Sequence, residues 1–102
     1  MDEIIFQIIS LGGTAKSLAY EALEAAESGD FDQAKVYLAE ADQYLKASHQ
    51  VQAELIQAET EGKGASVSLL MVHAQDHLMT AMEAKSLIEA MIRMLERFEN
   101  CV

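Results

Sequence analysis

Two histidines and an aspartate lie close together in the segment from Ser66 to Thr80, SVSLLMVHAQDHLMT. His73 and His77 are four residues apart and Asp76 follows His73 by three, so on a helix all three side chains project from one side. That side is otherwise apolar. A carboxylate on an apolar face must be paired, protonated or bound to a metal, because burying an unpaired charge costs several kcal/mol. Asp76 therefore requires a partner.

Three interpretations of this segment follow from the residues alone. In the first, a neutral imidazole nitrogen of His73 attacks a phosphoryl group, and His77 stabilises the added negative charge. In the second, the two histidines bind a metal ion, but Ala74 occupies the position where zinc hydrolases carry a glutamate base, so metalloprotease chemistry is not expected. In the third, the polar groups are satisfied inside the core of a non-catalytic oligomeric scaffold.

Two apolar stripes run side by side when this segment is drawn as a helix. The first consists of Leu69, Val72, Asp76 and Met79, and the second of Leu70, His73, His77, Thr80 and Ala84. One stripe packs a helix onto its own bundle, so the other predicts a partner. In a homo-oligomer whose third helices surround an axis, the first stripe would be buried and the Asp76 carboxylates would meet. Such carboxylates share protons or gather a cation, and oxygen ligands suit Mg²⁺ or a similar divalent ion.

Composition and helical periodicity predict an all-α fold. The 102 residues are 51% hydrophobic and include no Pro, no Trp and only five Gly, which favours long helices over turn-rich β structure. We expect helices at about 2–28, 31–59 and 66–98, with Ser66 as the N-cap of the third. The short link after the first helix makes its neighbour antiparallel, so the prediction is an antiparallel three-helix bundle forming one domain, 1–102.

Details within the helices carry further expectations. The adjacent Gly12 and Gly13 predict a kink, a ligand near the backbone or, most simply, a close helix crossing. The methionines of the third helix are interpreted as core filling, and Lys85 as part of a solvated turn. His49 and Gln52 are candidates to line a cleft, but an exposed polar face of the second helix is the favoured interpretation of both.

Net charge, hydrophobicity and the first residues of the chain indicate which partners and which cellular location to expect. The formal net charge of -10, from 17 acidic and seven basic residues, would repel a phosphate backbone, so nucleic acid is not an expected partner. We expect no membrane insertion, because no apolar run reaches the length of a span. Asp2 and Glu3 occupy the place of a basic signal-peptide region, and the single cysteine, Cys101, suits a reducing cytosol. A cytoplasmic protein is predicted.

Four stretches of the chain are similar to the sequence pattern of one protein family. They read GTAKSLAYEAL at 13–23, GDF at 29–31, SHQVQ at 48–52 and SLLMVHAQDHLMT at 68–80. Together they resemble the lactose/cellobiose-type enzyme IIA component of the bacterial sugar phosphotransferase system (PTS), over nearly the full chain. Val72 before the HAQDH motif is more similar to cellobiose- or chitobiose-type members than to lactose-type ones.

The resemblance implies roles for individual residues. His73 would be the phosphorylated histidine. It would accept a phosphoryl group from phospho-HPr and pass it to a cysteine of the cognate enzyme IIB. Gln75 and His77 match motif positions near the phosphoryl group, although Gln75 faces away from the His73 stripe of its own helix and would reach a site formed between subunits. Asp76 matches the metal-binding aspartate of the family.

The resemblance also implies an assembly and a pathway. Family members are three-helix subunits that form trimers, giving nine helices around a central ion, here a structural Mg²⁺ or similar cation held by Asp76. Enzyme IIB would phosphorylate a disaccharide such as cellobiose, chitobiose or lactose as it enters through the membrane enzyme IIC. The sequence does not distinguish among these sugars, since sugar selection belongs to enzyme IIC.

Overall fold

A computed structural model describes residues 2–64 and 67–100, which form three helices and no strand. Helix α1 spans Asp2–Glu27, α2 spans Phe31–Thr60 and α3 spans Leu69–Asn100. The predicted all-α three-helix fold is confirmed. The bundle is slender, measuring 57 × 20 × 20 Å, and α1 packs against both other helices along its length.

The turn between α1 and α2 is fixed by backbone hydrogen bonds. Gly29 has φ +87°, and the N–H groups of Gly29 and Asp30 donate to the carbonyls of Ala26 and Ala25 at 3.0 and 2.9 Å. This is the Schellman motif, whose left-handed residue is normally glycine. Asp30 then caps α2 by accepting from the Gln33 N–H at 3.1 Å. The turn therefore ends one helix and starts the next within three residues.

Ser68 caps the start of α3. Its hydroxyl accepts from the Met71 N–H and its carbonyl from the Val72 N–H, both at 3.1 Å. The sequence-based prediction placed this cap at Ser66, which lies outside the described residues. Helix α3 begins at Leu69, because the Ser68 bonds satisfy N–H groups that have no partner inside the helix.

Small residues dominate the core. Besides larger side chains such as Ile8 and Leu78, the fully buried positions are mostly alanines: Ala15, Ala19, Ala22, Ala34, Ala41, Ala74 and Ala81. Alanines at the contact let helix axes approach closely. Gly12 carries this further, since a Cβ built on it would lie 3.6 Å from the Leu78 Cα. Helix α1 is continuous there, so the close-crossing expectation for Gly12 is confirmed.

The face of α3 that packs inside the bundle differs from both apolar stripes seen in the sequence. Its buried residues are Ala74, Leu78, Ala81, Ile88 and Ile92. In a single chain Leu69, Val72, Asp76 and Met79 are exposed, so the first stripe lies on the outer surface. The interpretation of the methionines as core filling is wrong for Met79, Met91 and Met94, which are 53%, 46% and 69% exposed. The outer face of α3 thus exposes several large apolar side chains.

Candidate functional site

The two histidines of the HAQDH motif form a pair on α3. Their ring centroids are 5.7 Å apart and the ring planes meet at 63°, an edge-to-face arrangement. His73 is exposed, whereas His77 is partly buried. Spacing of four on a continuous helix produces this contact, as predicted. The pair presents one accessible imidazole supported by a second, more constrained one.

His77 is constrained by α1. A Cβ built on Gly13 would lie 3.9 Å from the His77 Cε1, so the imidazole lies over a helix surface without a side chain. Beside it runs an open groove with several hydroxyl groups, lined by Ile9, Ser10, Gly13, Thr14, Ser17, Leu18, Glu21 and His77. The pair of glycines thus has two roles, since Gly12 faces the α3 backbone and Gly13 faces the His77 ring.

Gln75 faces α2 rather than the histidine pair. Its Oε1 accepts a hydrogen bond from the Gln52 Nε2, and both side chains are partly buried. The prediction that Gln75 faces away from the His73 stripe is confirmed. Its partner was not predicted, although Gln52 had been singled out as a cleft residue, because spacing within one helix does not identify contacts between helices.

Asp76 is exposed in the single chain and lies between exposed apolar positions on the outer face of α3. It therefore needs no partner within its own bundle, and the expected burial would require another chain. Within residues 2–64 and 67–100, no group of three or more His, Cys, Asp or Glu side chains is placed to hold a metal ion. A metal site on His73 and His77 would have only these two ligands from the described part of one chain.

A charged cluster between α2 and α3 was missed by the sequence-based reasoning. The Lys85 side chain is only 12% exposed; its Nζ lies 2.5 Å from the Asp42 Oδ1 and also contacts the Glu89 carboxylate. The prediction of a solvated Lys85 is therefore wrong. Burial acts to lower the pKa of Lys85, but hydrogen bonds to Asp42 and Glu89 and their charges outweigh it, so the pKa is raised above 10.5.

The other sequence candidates have simpler surroundings. His49 is exposed on α2, in a groove that it shares with Asp42, Lys46 and Lys85. Cys101 lies outside the described residues.

No helix in the described part of the chain is both long and apolar enough to cross a membrane.

Comparison with known proteins places this arrangement in a family. Residues 3–96 match the family model described as PTS system, lactose/cellobiose specific IIA subunit. The chain is 47% identical over 97 residues to the lichenan-specific phosphotransferase enzyme IIA component of Bacillus subtilis, covering 95% of this chain and 88% of that protein.

Solved structures agree with the sequence comparison. The crystal structure of the cellobiose-specific enzyme IIA from Bacillus anthracis superimposes with a TM-score of 0.93 at 38% identity, covering 96% of this chain and 90% of that one. The IIA(chitobiose) chain of a complex with HPr from Escherichia coli gives a TM-score of 0.84 at 40% identity, covering 96% and 95%. The chain therefore belongs to the lactose/cellobiose-specific IIA subunits of the PTS and is a component of that phosphotransferase system.

Proposed function

We propose that this protein is a phosphocarrier that accepts a phosphoryl group from phospho-HPr on His73 and passes it to a cysteine of its enzyme IIB. The observation that carries the proposal is the exposed His73 imidazole, edge-on to His77 at 5.7 Å between centroids. An exposed imidazole is accessible to a macromolecular donor and to a macromolecular acceptor. The solved complex of IIA(chitobiose) with HPr supports HPr as the donor.

The transfer is a pair of substitutions at phosphorus. A neutral nitrogen of His73 donates its lone pair to phosphorus as the bond from phosphorus to the HPr donor atom breaks. The cysteine thiolate of enzyme IIB then bonds to phosphorus, and the bond to His73 breaks. No water and no nucleotide enter either step.

His77 and Gln75 are proposed to contact the phosphoryl group. His77 follows His73 by one turn and lies against Gly13, which holds the ring beside the reacting nitrogen. A ring N–H of His77 can donate to a phosphoryl oxygen and so stabilise the negative charge that His73 gains. The Gln75 side chain is hydrogen-bonded to Gln52 on α2. It would therefore contact the phosphoryl group on His73 of another subunit.

We further propose a homotrimer in which three copies of α3 surround the axis. Leu69, Val72 and Met79 are exposed in the single chain and flank Asp76, so a shared interface would bury apolar surface and bring the carboxylates together. Carboxylate oxygens from separate copies fit a hard divalent cation such as Mg²⁺. When bound, the ion would neutralise the carboxylates, and its role would be structural, because Asp76 is not part of the transfer.

The partners follow from the charge and from the relatives. A net charge of -10 favours encounters with basic surfaces and repels nucleic acid. Relatives named for lichenan, N,N'-diacetylchitobiose and cellobiose favour a disaccharide such as cellobiose or chitobiose, phosphorylated by enzyme IIB as it enters through enzyme IIC. The protein would work in the cytoplasm, a reducing compartment that suits its single cysteine.

Phosphorylation at His73 can be tested by intact mass spectrometry after incubation with phosphoenolpyruvate, enzyme I and HPr. We expect the protein to gain one acid-labile, base-stable phosphoryl group of about 80 Da, as expected for a phosphohistidine. His73→Ala should remain folded and gain nothing. The matched control is His49→Ala, which removes an exposed histidine on α2 and should leave the gain unchanged.

The same measurement separates the alternatives. Phosphate retained by His73→Ala and lost from His49→Ala or His77→Ala would move the site to that histidine. If the wild type takes up nothing from active phospho-HPr, the phosphocarrier proposal is wrong.

A further inference from the structure

The hydrogen bond between Gln52 and Gln75 joins α2 to α3 through two side-chain amides. Gln52 donates from Nε2 and Gln75 accepts at Oε1. Because the acceptor end of the Gln75 amide is used, its NH₂ group points the other way and has donors to offer. A phosphoryl group carries only acceptor oxygens, so the NH₂ end is the end that can bind it.

Gln75 and His73 lie on opposite sides of the outer face of α3. At about 100° per residue, His73 lies about 60° from Asp76 in one direction and Gln75 about 100° in the other. The structure agrees with this, since His77 of the histidine pair lies against α1 while Gln75 contacts α2. Within one chain, the exposed stripe containing Asp76 separates the two side chains.

In a cyclic trimer, His73 of one subunit and Gln75 of the next subunit would lie on facing sides. Interfaces in such a ring are heterologous, so one side of each subunit faces the opposite side of the next. With the Asp76 stripe toward the axis, the His73 side of one α3 faces the Gln75 side of its neighbour. The Gln52–Gln75 pair therefore comes to the edge of a site whose nucleophile belongs to another copy.

On the basis of the proposed phosphocarrier function, we propose that Gln52 is a positioning residue. Its hydrogen bond holds the Gln75 amide so that the NH₂ group donates to the phosphoryl group on His73 of the adjacent copy. Gln52 acts through Gln75 and does not touch the phosphoryl group. Since Glu can only accept, Gln52→Glu would bond the Gln75 NH₂ and turn its carbonyl oxygen toward the phosphoryl oxygens.

The first test is a double-mutant cycle on the rate of phosphoryl transfer from phospho-HPr. Gln52→Glu and Gln75→Leu should each lower the maximal rate about tenfold, the effect of one hydrogen bond, with little change in KM. The double variant should be no slower than Gln75→Leu alone, because Gln52 acts only through Gln75. The matched control is Gln50→Glu, which adds the same charge on α2 at an exposed position whose amide donates to Glu54 and not to Gln75.

The same double-mutant cycle can also overturn the proposed role of Gln52. If Gln52→Glu slows transfer as much in the Gln75→Leu background as in the wild type, the charge acts directly and the positioning role is wrong. An unchanged rate for Gln52→Glu, or an equal loss for Gln50→Glu, overturns it as well.

The second test mixes chains and does not depend on Gln52 variants folding. His73→Ala and Gln75→Leu chains are unfolded, combined in equal amounts and refolded together. If Gln75 acts on the adjacent copy, about half of the remaining His73 sites have a neighbour with Gln75 intact and react at the wild-type rate. If Gln75 acts within its own chain, every site is slow. A wild type that takes up no phosphate would instead refute the phosphocarrier proposal itself.

Discussion

Ser48 is fully buried on α2, and its hydroxyl has no hydrogen-bond partner among the described residues. An unsatisfied buried polar group costs about 1–3 kcal/mol, because it has given up its bonds to water. Serine is also a poorer helix former than alanine. Ser48 therefore lowers the stability of the bundle, and no hydrogen bond of its hydroxyl among the described residues offsets this effect.

We predict that Ser48→Ala raises the free energy of unfolding by about 1 kcal/mol. Urea denaturation at one protein concentration would measure it, since any self-association makes the stability depend on concentration. Ser86→Ala is the matched control, because Ser86 is exposed on α3 and its replacement gains only helix propensity. A loss of stability in Ser48→Ala would mean that the hydroxyl has a partner in the folded protein.

Single residues were predictable from the sequence where their chemistry depends on local spacing. The contact between His73 and His77 follows from their separation of four in any helix. The bond from Gln52 to Gln75 joins residues 23 apart, and its existence depends on how two helices rotate against each other. Helical periodicity does not determine that rotation, so the partner of Gln75 required the structure.

At the scale of the elements, Lys85 ties α3 to α2. Its ammonium group bridges Asp42 on α2 and Glu89 one turn further along α3, while its stem is covered by the bundle. The two carboxylates hold the proton on Lys85 more tightly in the folded state than in the unfolded chain, so its pKa is raised above 10.5 on folding. The folded state then binds more protons than the unfolded state at high pH.

This linkage predicts a loss of stability in alkali. Below pH 10.5, Lys85 is protonated in both states and its contribution is fully present; as pH rises from there through the raised folded pKa, the contribution is lost. Denaturation curves measured from about pH 9 upward should fall more steeply above about pH 10.5 for the wild type than for Lys85→Met, which has no ammonium group to titrate. The control is Lys46→Met, which replaces an exposed lysine on α2. Its free energy of unfolding should fall with pH as that of the wild type does. Equal slopes for wild type and Lys85→Met would contradict the linkage.

Helix ends were more predictable than helix faces. The turn with Gly29 and Asp30 carries its own signal, because a left-handed residue followed by a cap is a local requirement. The buried face of α3 was harder to identify because three of its faces carry apolar residues. The sequence alone assigned the stripe with Asp76 to a partner and left the stripe with His73 and His77 for the bundle, whereas the structure buries a third face. The small Ala74 and Ala81 form the true contact, since they let α3 approach α1 closely.

At the scale of the whole molecule, the bundle leaves much apolar surface exposed. The outer face of α3 includes Leu69 at 86%, Met94 at 69% and Phe98 at 74% exposure. A bundle only 20 Å across cannot cover a third helix on all sides. The apolar pattern of the sequence therefore predicted an assembly as well as a fold, and Asp76 lies within the surface that such an assembly would cover.

We predict that Asp76→Leu keeps the trimer and removes its dependence on a divalent cation. Carboxylates brought together at an axis repel unless a cation or shared protons neutralise them, whereas leucine of similar size adds to the apolar interface. Sedimentation equilibrium should give three times the 11.2 kDa chain mass for the variant, with or without EDTA. The wild type should dissociate more readily in EDTA.

The control for Asp76→Leu is Glu99→Leu, which removes another exposed carboxylate of α3 that lies about 140° around the helix from Asp76 and so faces away from the proposed axis. Elemental analysis after dialysis should find the cation in wild type and in Glu99→Leu, and none in Asp76→Leu. A monomeric Asp76→Leu would contradict the prediction and show that the trimer depends on the Asp76 carboxylate together with what neutralises it. Equal cation content in all three proteins would place the ion elsewhere and remove Asp76 from the proposed site.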